Sequence, residues 1–170
     1  MPTAPKPRPR WGGKKTGPNP TDRSKLGVKR SLLVDGRGVV LGVAVDGANR
    51  HDSKLLQKTL RSVPVSYPPL RRRRARIHLC LDKGYDYPEI RHWLQEVGFV
   101  PHIRGRGEEA KPCPNLSGYR PRRWVVERSH SWLNRYRRIL IRWEKKAENY
   151  TALLHFVFGI IAFQQTGLFG

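Results

Sequence analysis

The sequence predicts an α/β fold of one domain, and three observations carry the prediction. Two apolar runs, Ser31–Val34 and Val39–Asp46, flank Asp35-Gly36-Arg37-Gly38, the pattern of a β-hairpin whose glycines supply positive φ. Ile77–Asp82 alternates apolar and polar residues and reads as a half-buried strand ending in an acid. Arg123–Lys145 repeats apolar residues three and four apart, the spacing of a helix. A length of 170 residues suits a single core.

The remaining elements follow in order. Residues 1–11 carry four prolines among basic residues, and proline lacks the backbone donor a central strand needs, so they read as a disordered basic arm. Residues 12–170 form the domain. Trp11–Lys25 is rich in Gly, Pro and Asn and reads as loop. Asp52-Ser53 is expected to cap a short helix through Leu60, with Leu55, Leu56 and Leu60 on its apolar side. Arg71–Arg74 with Arg76 reads either as a solvated loop or as a phosphate contact. Asp86 is expected to cap the next helix, with Pro88 in the first turn, Glu89 completing a capping box and Gly98 ending it. Its apolar face is Ile90, Trp93, Leu94 and Val97. Phe99–Ile103 reads as a strand and Gly105–Arg122 as a polar linker.

The helix that follows is expected from about residue 121 to about residue 143. Its buried stripe is Val125, Ser129, Trp132, Tyr136, Ile139 and Trp143, which makes both tryptophans core residues. At ~100° per residue, Glu127 lies roughly opposite Val125 and Trp132, on a stripe with Arg123, His130, Asn134 and Arg138. A last helix, from about residue 149 to about residue 165, is apolar nearly all round and should be buried.

Composition narrows the partners. There are 34 Lys and Arg against 13 Asp and Glu, a formal net charge of +21, and a pI near 11.1. Such an excess points to a polyanion, nucleic acid first, and no basic amphipathic helix argues for a membrane surface. The most apolar stretch, residues 152–163, is shorter than the ~20 residues a bilayer needs. No secretory signal is visible, and Cys80 and Cys113 read as reduced structural thiols of a cytosolic protein rather than zinc ligands.

Two carboxylates, Asp82 and Glu127, stand out in this basic background as ligands for a divalent metal held against a phosphate. The order of hairpin, helix, Asp-ending strand, helix, strand and Glu-bearing helix resembles a ribonuclease H-like mixed sheet flanked by helices. Three segments sharpen this: TGPNPTDRSKLGVKRSLLVDGRGVVLGVAVDGANRHDS, LDKGYD and RWVVERSHSWLNRYRRILIRWEK. They resemble the DDE transposases of bacterial insertion sequences, in the fifth numbered family and its neighbours, from about Gly12 to the C-terminus.

The resemblance implies DNA transposition. Mg²⁺ (or Mn²⁺) assists hydrolysis of a phosphodiester at the element's end, and the freed 3′-hydroxyl then attacks target DNA. It makes Asp82 the second catalytic aspartate and Glu127 the catalytic glutamate. Arg123 matches the signature arginine, which would orient Glu127 or contact phosphate. Asn134 stands where the signature has lysine, with Arg135 and Arg138 near enough to supply that charge. Arg128 is a further DNA contact.

The family's first aspartate belongs on a central strand just before a Gly-Gly loop, here Gly12-Gly13. That place holds the proline arm, which has no acid. The expected sheet therefore lacks its first central strand, leaving two unpaired edges. Asp35, Asp46 and Asp52 read as a turn, a strand end and a helix cap rather than as substitutes.

Two origins stay open, a truncated copy or the downstream product of an element split between two reading frames. The implied partners are transposon ends, target DNA, an upstream-encoded half and further copies of the chain, at the nucleoid in the cytoplasm. The alternative is an inactive basic DNA-binding or regulatory fragment that hinders assembly of the complete enzyme.

Overall fold

In the computed structural model the described residues are 8–9, 13–20, 22–64, 77–103 and 123–167. In chain order they form β1 (Arg8–Pro9), β2 (Gly17–Pro18), β3 (Leu26–Val34), β4 (Val40–Gly47), α1 (Ser53–Arg61) and β5 (Ile77–Leu81). Then come α2 (Pro88–Glu96), β6 (Phe99–Ile103), α3 (Arg123–Asn134), α4 (Arg137–Leu140), β7 (Ile141–Arg142) and α5 (Ala147–Gln164). The architecture is mixed α/β, with antiparallel and parallel pairing. The arginine cluster at 71–76, the polar linker and Cys113 lie outside the described residues. The chain divides into two compact units, residues 1–64 with 124–170, and residues 65–123.

The first unit is built on the expected hairpin. β3 and β4 pair antiparallel, with Arg30 opposite Val45 and Leu32 opposite Val43. The strand pair is longer than expected: β3 begins at Leu26, and β2, inside the segment read as loop, pairs with its first residues. Asp35 closes the turn as expected, accepting from the N–H groups of Arg37 (2.8 Å) and Val39 (2.9 Å). Within the stretch read as an arm, Arg8–Pro9 pairs in parallel with Ile141–Arg142.

Alternation gives the hairpin two faces. On one, Val28, Val43 and Val45 join Leu133, Ile139, Tyr150 and Leu154 in the main core. On the other, Ser31 accepts a hydrogen bond from Thr59 of α1 at 2.8 Å, and the Val43 N–H donates to Ser62 at 2.8 Å. The leucines expected on the apolar side of α1 are all buried. The hairpin is thus the middle layer of three, with α1 on one side and α3 and α5 on the other.

Several local expectations are overturned. Asp52 does not cap α1. It is already helical (φ −60°, ψ −36°), so its side chain cannot turn back onto the first-turn donors, and it pairs with Lys29 at 3.2 Å. The helix expected through residue 143 breaks at Tyr136, which is extended (φ −87°, ψ 95°), and continues only as α4 and β7. Trp143 therefore falls outside any helix and is 40% exposed instead of core, while Leu133 and Arg142 are buried. α5 is not buried all round: Tyr150, Leu154, Val157 and Ile161 face the core, while Phe156 and Phe163 face out. A helix on the outside of a layer has only one side to bury.

The second unit is a β-α-β turn. β5 and β6 pair in parallel, Ile77 opposite Phe99 and Leu81 opposite Ile103, with α2 between them in sequence. Leu79 is buried and His78 and Cys80 are exposed, as the alternation predicts. Asp86 does not cap α2. Arg91 takes its carboxylate at 2.7 Å and also donates to the Ile103 carbonyl at 2.9 Å, tying the helix to β6. Leu94 is fully buried, and Gly98 ends α2 at φ +87°, as expected of a C-terminal glycine. Val97, expected on the apolar face, is 38% exposed.

Candidate functional site

Asp82 follows the last residue of β5. Its carboxylate accepts from the Lys83 N–H at 2.8 Å and starts a single 3-10 turn, Lys83–Tyr85. The alternation that buries Leu79 turns Asp82 outward, and it is exposed. Asp82 belongs to the second unit.

Glu127 belongs to the first unit. It lies in the second turn of α3 and is exposed, while Val125 and Ser129 on either side of it are 2% and 1% accessible. What fixes α3 is the hairpin turn. Ser129 donates to the Gly38 carbonyl at 2.7 Å, and Arg128 donates to the Arg37 carbonyl. Gly38 sits at φ +87°, and a Cβ there would come within 3.1 Å of Ser129 Oγ. This contact therefore needs glycine on both conformational and steric grounds.

The other predicted residues are placed as follows. Arg123 starts α3. The Arg128 guanidinium lies between the rings of Trp124 and Trp132, 4.7 and 4.8 Å from their centroids. Its Nε is buried without a partner, and with its bond to the turn this makes Arg128 a clamp between α3 and the hairpin. Asn134 accepts from Arg30 at 3.1 Å. Arg135 is exposed in the turn after α3. Arg138 is an exposed partner of Glu144.

Sequence reasoning missed the polar cluster under α3. Arg30 and Arg142 are 7% and 1% accessible, and each has an Nη1 without a partner. Burial lowers the pKa of both, and burial raises that of Tyr150, whose ring lies beneath Arg142. Burial, then the charge of Arg30, brings His130 down to about 4. A charged residue in the middle of an alternating strand, LGVKRSLLV, was the available signal for Arg30.

Among the described residues, no group of three or more His, Cys, Asp or Glu side chains converges as a metal site. Asp82 and Glu127 each offer an exposed carboxylate. Hard oxygen donors of this kind suit Mg²⁺ or Mn²⁺, which keep several waters and lean on substrate phosphate for the rest of their shell. The chemistry of the donors fits such an ion, though two carboxylates are fewer than a two-ion site uses. No helix among the described residues is long and apolar enough to cross a membrane.

Comparison with known proteins completes the picture. The family described as Transposase DDE domain matches residues 2–158. A protein of Burkholderia cepacia, named as a transposase for insertion sequence element IS402, is 38% identical over 149 residues, covering 85% of this chain and 67% of that protein. No solved structure matches. A match over most of the chain, joined to an independent relative at this identity, identifies the protein as a member of the DDE transposase family of insertion sequences.

Proposed function

We propose that this chain is the DNA-binding, acid-bearing part of an insertion-sequence transposase, in which Asp82 and Glu127 come together to hold a divalent ion, Mg²⁺ or Mn²⁺. The observation that carries the reading is that both motif acids stand exposed, one at a strand end and one on a helix face, in a chain of this family. When bound, the ion supplies charge neutralisation at the scissile phosphate and an activated oxygen nucleophile. The chain's own part is to aim the ligands. The Lys83 N–H holds the Asp82 carboxylate at the strand end, and the Ser129 and Arg128 contacts to the hairpin set the rotation of α3 that presents Glu127. Arg123 and Arg135 meet phosphate, as do Arg128, Asn134 and Arg138 where their internal bonds leave donors over. The complete enzyme, with transposon ends, target DNA and further copies of the chain, is the assembly in which the reaction runs, at the nucleoid.

Residues 1–11 hold no acid to match the family's first aspartate, so the proposed chain binds DNA and one ion but cleaves inefficiently. Calorimetry of the whole chain with Mn²⁺ tests the ligands: binding should be present in the wild type and lost in both Asp82→Ala and Glu127→Ala. Binding that survives both substitutions would overturn the shared site. Efficient metal-dependent nicking of a transposon-end duplex, abolished by Asp82→Ala, would overturn the impaired catalysis. The regulatory alternative has the same missing acid in its favour, and reduced transposition on co-expression with the complete enzyme would reveal it.

A further inference from the structure

We propose that a recess in the first unit, between the start of β2, the end of β4 and the start of α1, binds a phosphodiester of the DNA backbone. This inference rests on the reading of the chain as a DNA-binding transposase, but not on its acids. The recess has a volume of about 460 Å³. Three cations line it, Lys15, Arg50 and Lys54, and they come from three separate parts of the chain. Thr16, Asn49 and His51 add neutral polar groups.

The one acid in the wall, Asp46, is already spent. It accepts from the Gly47 N–H at 2.9 Å and pairs with Lys58 at 3.3 Å and Arg50 at 4.0 Å. Burial alone would push its carboxyl up, yet these donors and charges hold it below the ordinary range, so it stays an engaged anion. The side chains of Lys15 and Lys54 have no hydrogen bond or ion pair among the described residues. Two uncommitted ammonium groups thus face one concavity, where low-dielectric walls focus their field.

The walls are built rather than incidental. Asn49 is pressed onto two glycines: a Cβ on Gly17 would fall 2.1 Å from its Oδ1, and one on Gly47 would fall 2.7 Å away. Lys15 is held in the left-handed region at φ 60°, at the tip of a turn that Thr16 closes by donating to the Gly13 carbonyl at 2.7 Å. On the opposite wall, Lys29 donates to the Arg50 carbonyl at 2.6 Å and pairs with Asp52 at 3.2 Å, which fastens the loop that carries Arg50 and His51.

The chemistry of the lining selects the ligand. No aromatic ring other than His51 is present, so a base has little to stack on, and there is no apolar floor for a drug-like molecule. Lysine ammonium groups act as point charges that suit phosphate oxygens without reading sequence. The recess therefore adds grip and register on the duplex, not recognition of a particular end.

The experiment is fluorescence anisotropy of a labelled duplex titrated with the whole chain across a salt series, in EDTA. Removing metal keeps the result independent of Asp82 and Glu127. The double variant Lys15→Ala/Lys54→Ala is expected to weaken binding about tenfold, equally for unrelated sequences. It should also flatten the slope of log affinity against log salt by about 1.8, the value for two lost phosphate contacts. Lys145→Ala/Lys146→Ala removes the same charge from exposed positions elsewhere and should change the slope much less.

Circular dichroism confirms that each variant is folded. A Lys15/Lys54 variant with unchanged affinity and slope, or one no weaker than the Lys145/Lys146 control, overturns the proposal. A third arm replaces DNA with inorganic phosphate. Tight phosphate binding that the double variant loses, with DNA affinity intact, would assign the recess to a small anion and overturn the DNA assignment as well.

Discussion

Arg30 and His130 show how far a single side chain can depart from its type. Arg30 lies on the core face of β3, reaches Asn134 of α3 and leaves one nitrogen without a partner. Its charge, together with burial, keeps His130 neutral down to about pH 4. In the unfolded chain His130 titrates near the ordinary 6.5. Between about pH 6.5 and pH 4 the unfolded state therefore holds the extra proton, and stability falls as pH drops through that window. The loss from this residue is on the order of 3 kcal/mol at most, and it is absent above pH 6.5. Urea unfolding from pH 7 to pH 4 should show a smaller acid loss in His130→Gln than in the wild type. Equal losses would mean that His130 is protonated in the folded state at these pH values. Nothing in the sequence around His130 marks it as buried, because Glu127, one turn away on the same stripe, is exposed. What separates them is the reach of Arg30 from another element.

The elements divide by how local their causes are. The hairpin turn, the outward Asp82, the three leucines of α1 and the glycine that ends α2 were legible, since each depends on alternation or a special φ within a few residues. Both helix caps were misread because a competing cation, Lys29 or Arg91, arrives from elsewhere to take the carboxylate. The break at Tyr136 has no glycine or proline to announce it. It lets Ile139 and Arg142 enter the core, where the backbone of an unbroken helix would have put Trp143. α5 is the clearest case of composition misleading. Its apolar residues encircle the helix, but only one side meets the hairpin. Leu154→Ala should destabilise by ~2–5 kcal/mol, whereas Phe156→Ser, at a position 68% exposed, should stay within ~0.5 kcal/mol of wild type. Denaturant midpoints of the two variants check this directly, and a large effect at Phe156 would mean that its ring is covered in the assembled protein.

For the molecule as a whole, the excess of 34 cationic over 13 anionic residues governs how it meets DNA. If about six phosphates are neutralised, raising NaCl from 50 to 200 mM should lower duplex affinity by roughly 10³-fold. A shallow salt response would argue for a small contact area despite the charge. Not all of that charge is available, because Arg30 and Arg142 are buried and Arg128 clamps the hairpin to α3. Family, charge, strand alternation and the two motif acids could be read from residue order alone, because each is a property of neighbours along the chain. The buried guanidinium groups, the split of the long helix and the recess between Lys15 and Lys54 could not. They depend on residues far apart in sequence competing for the same space and the same charge, and only folding brings those competitors together.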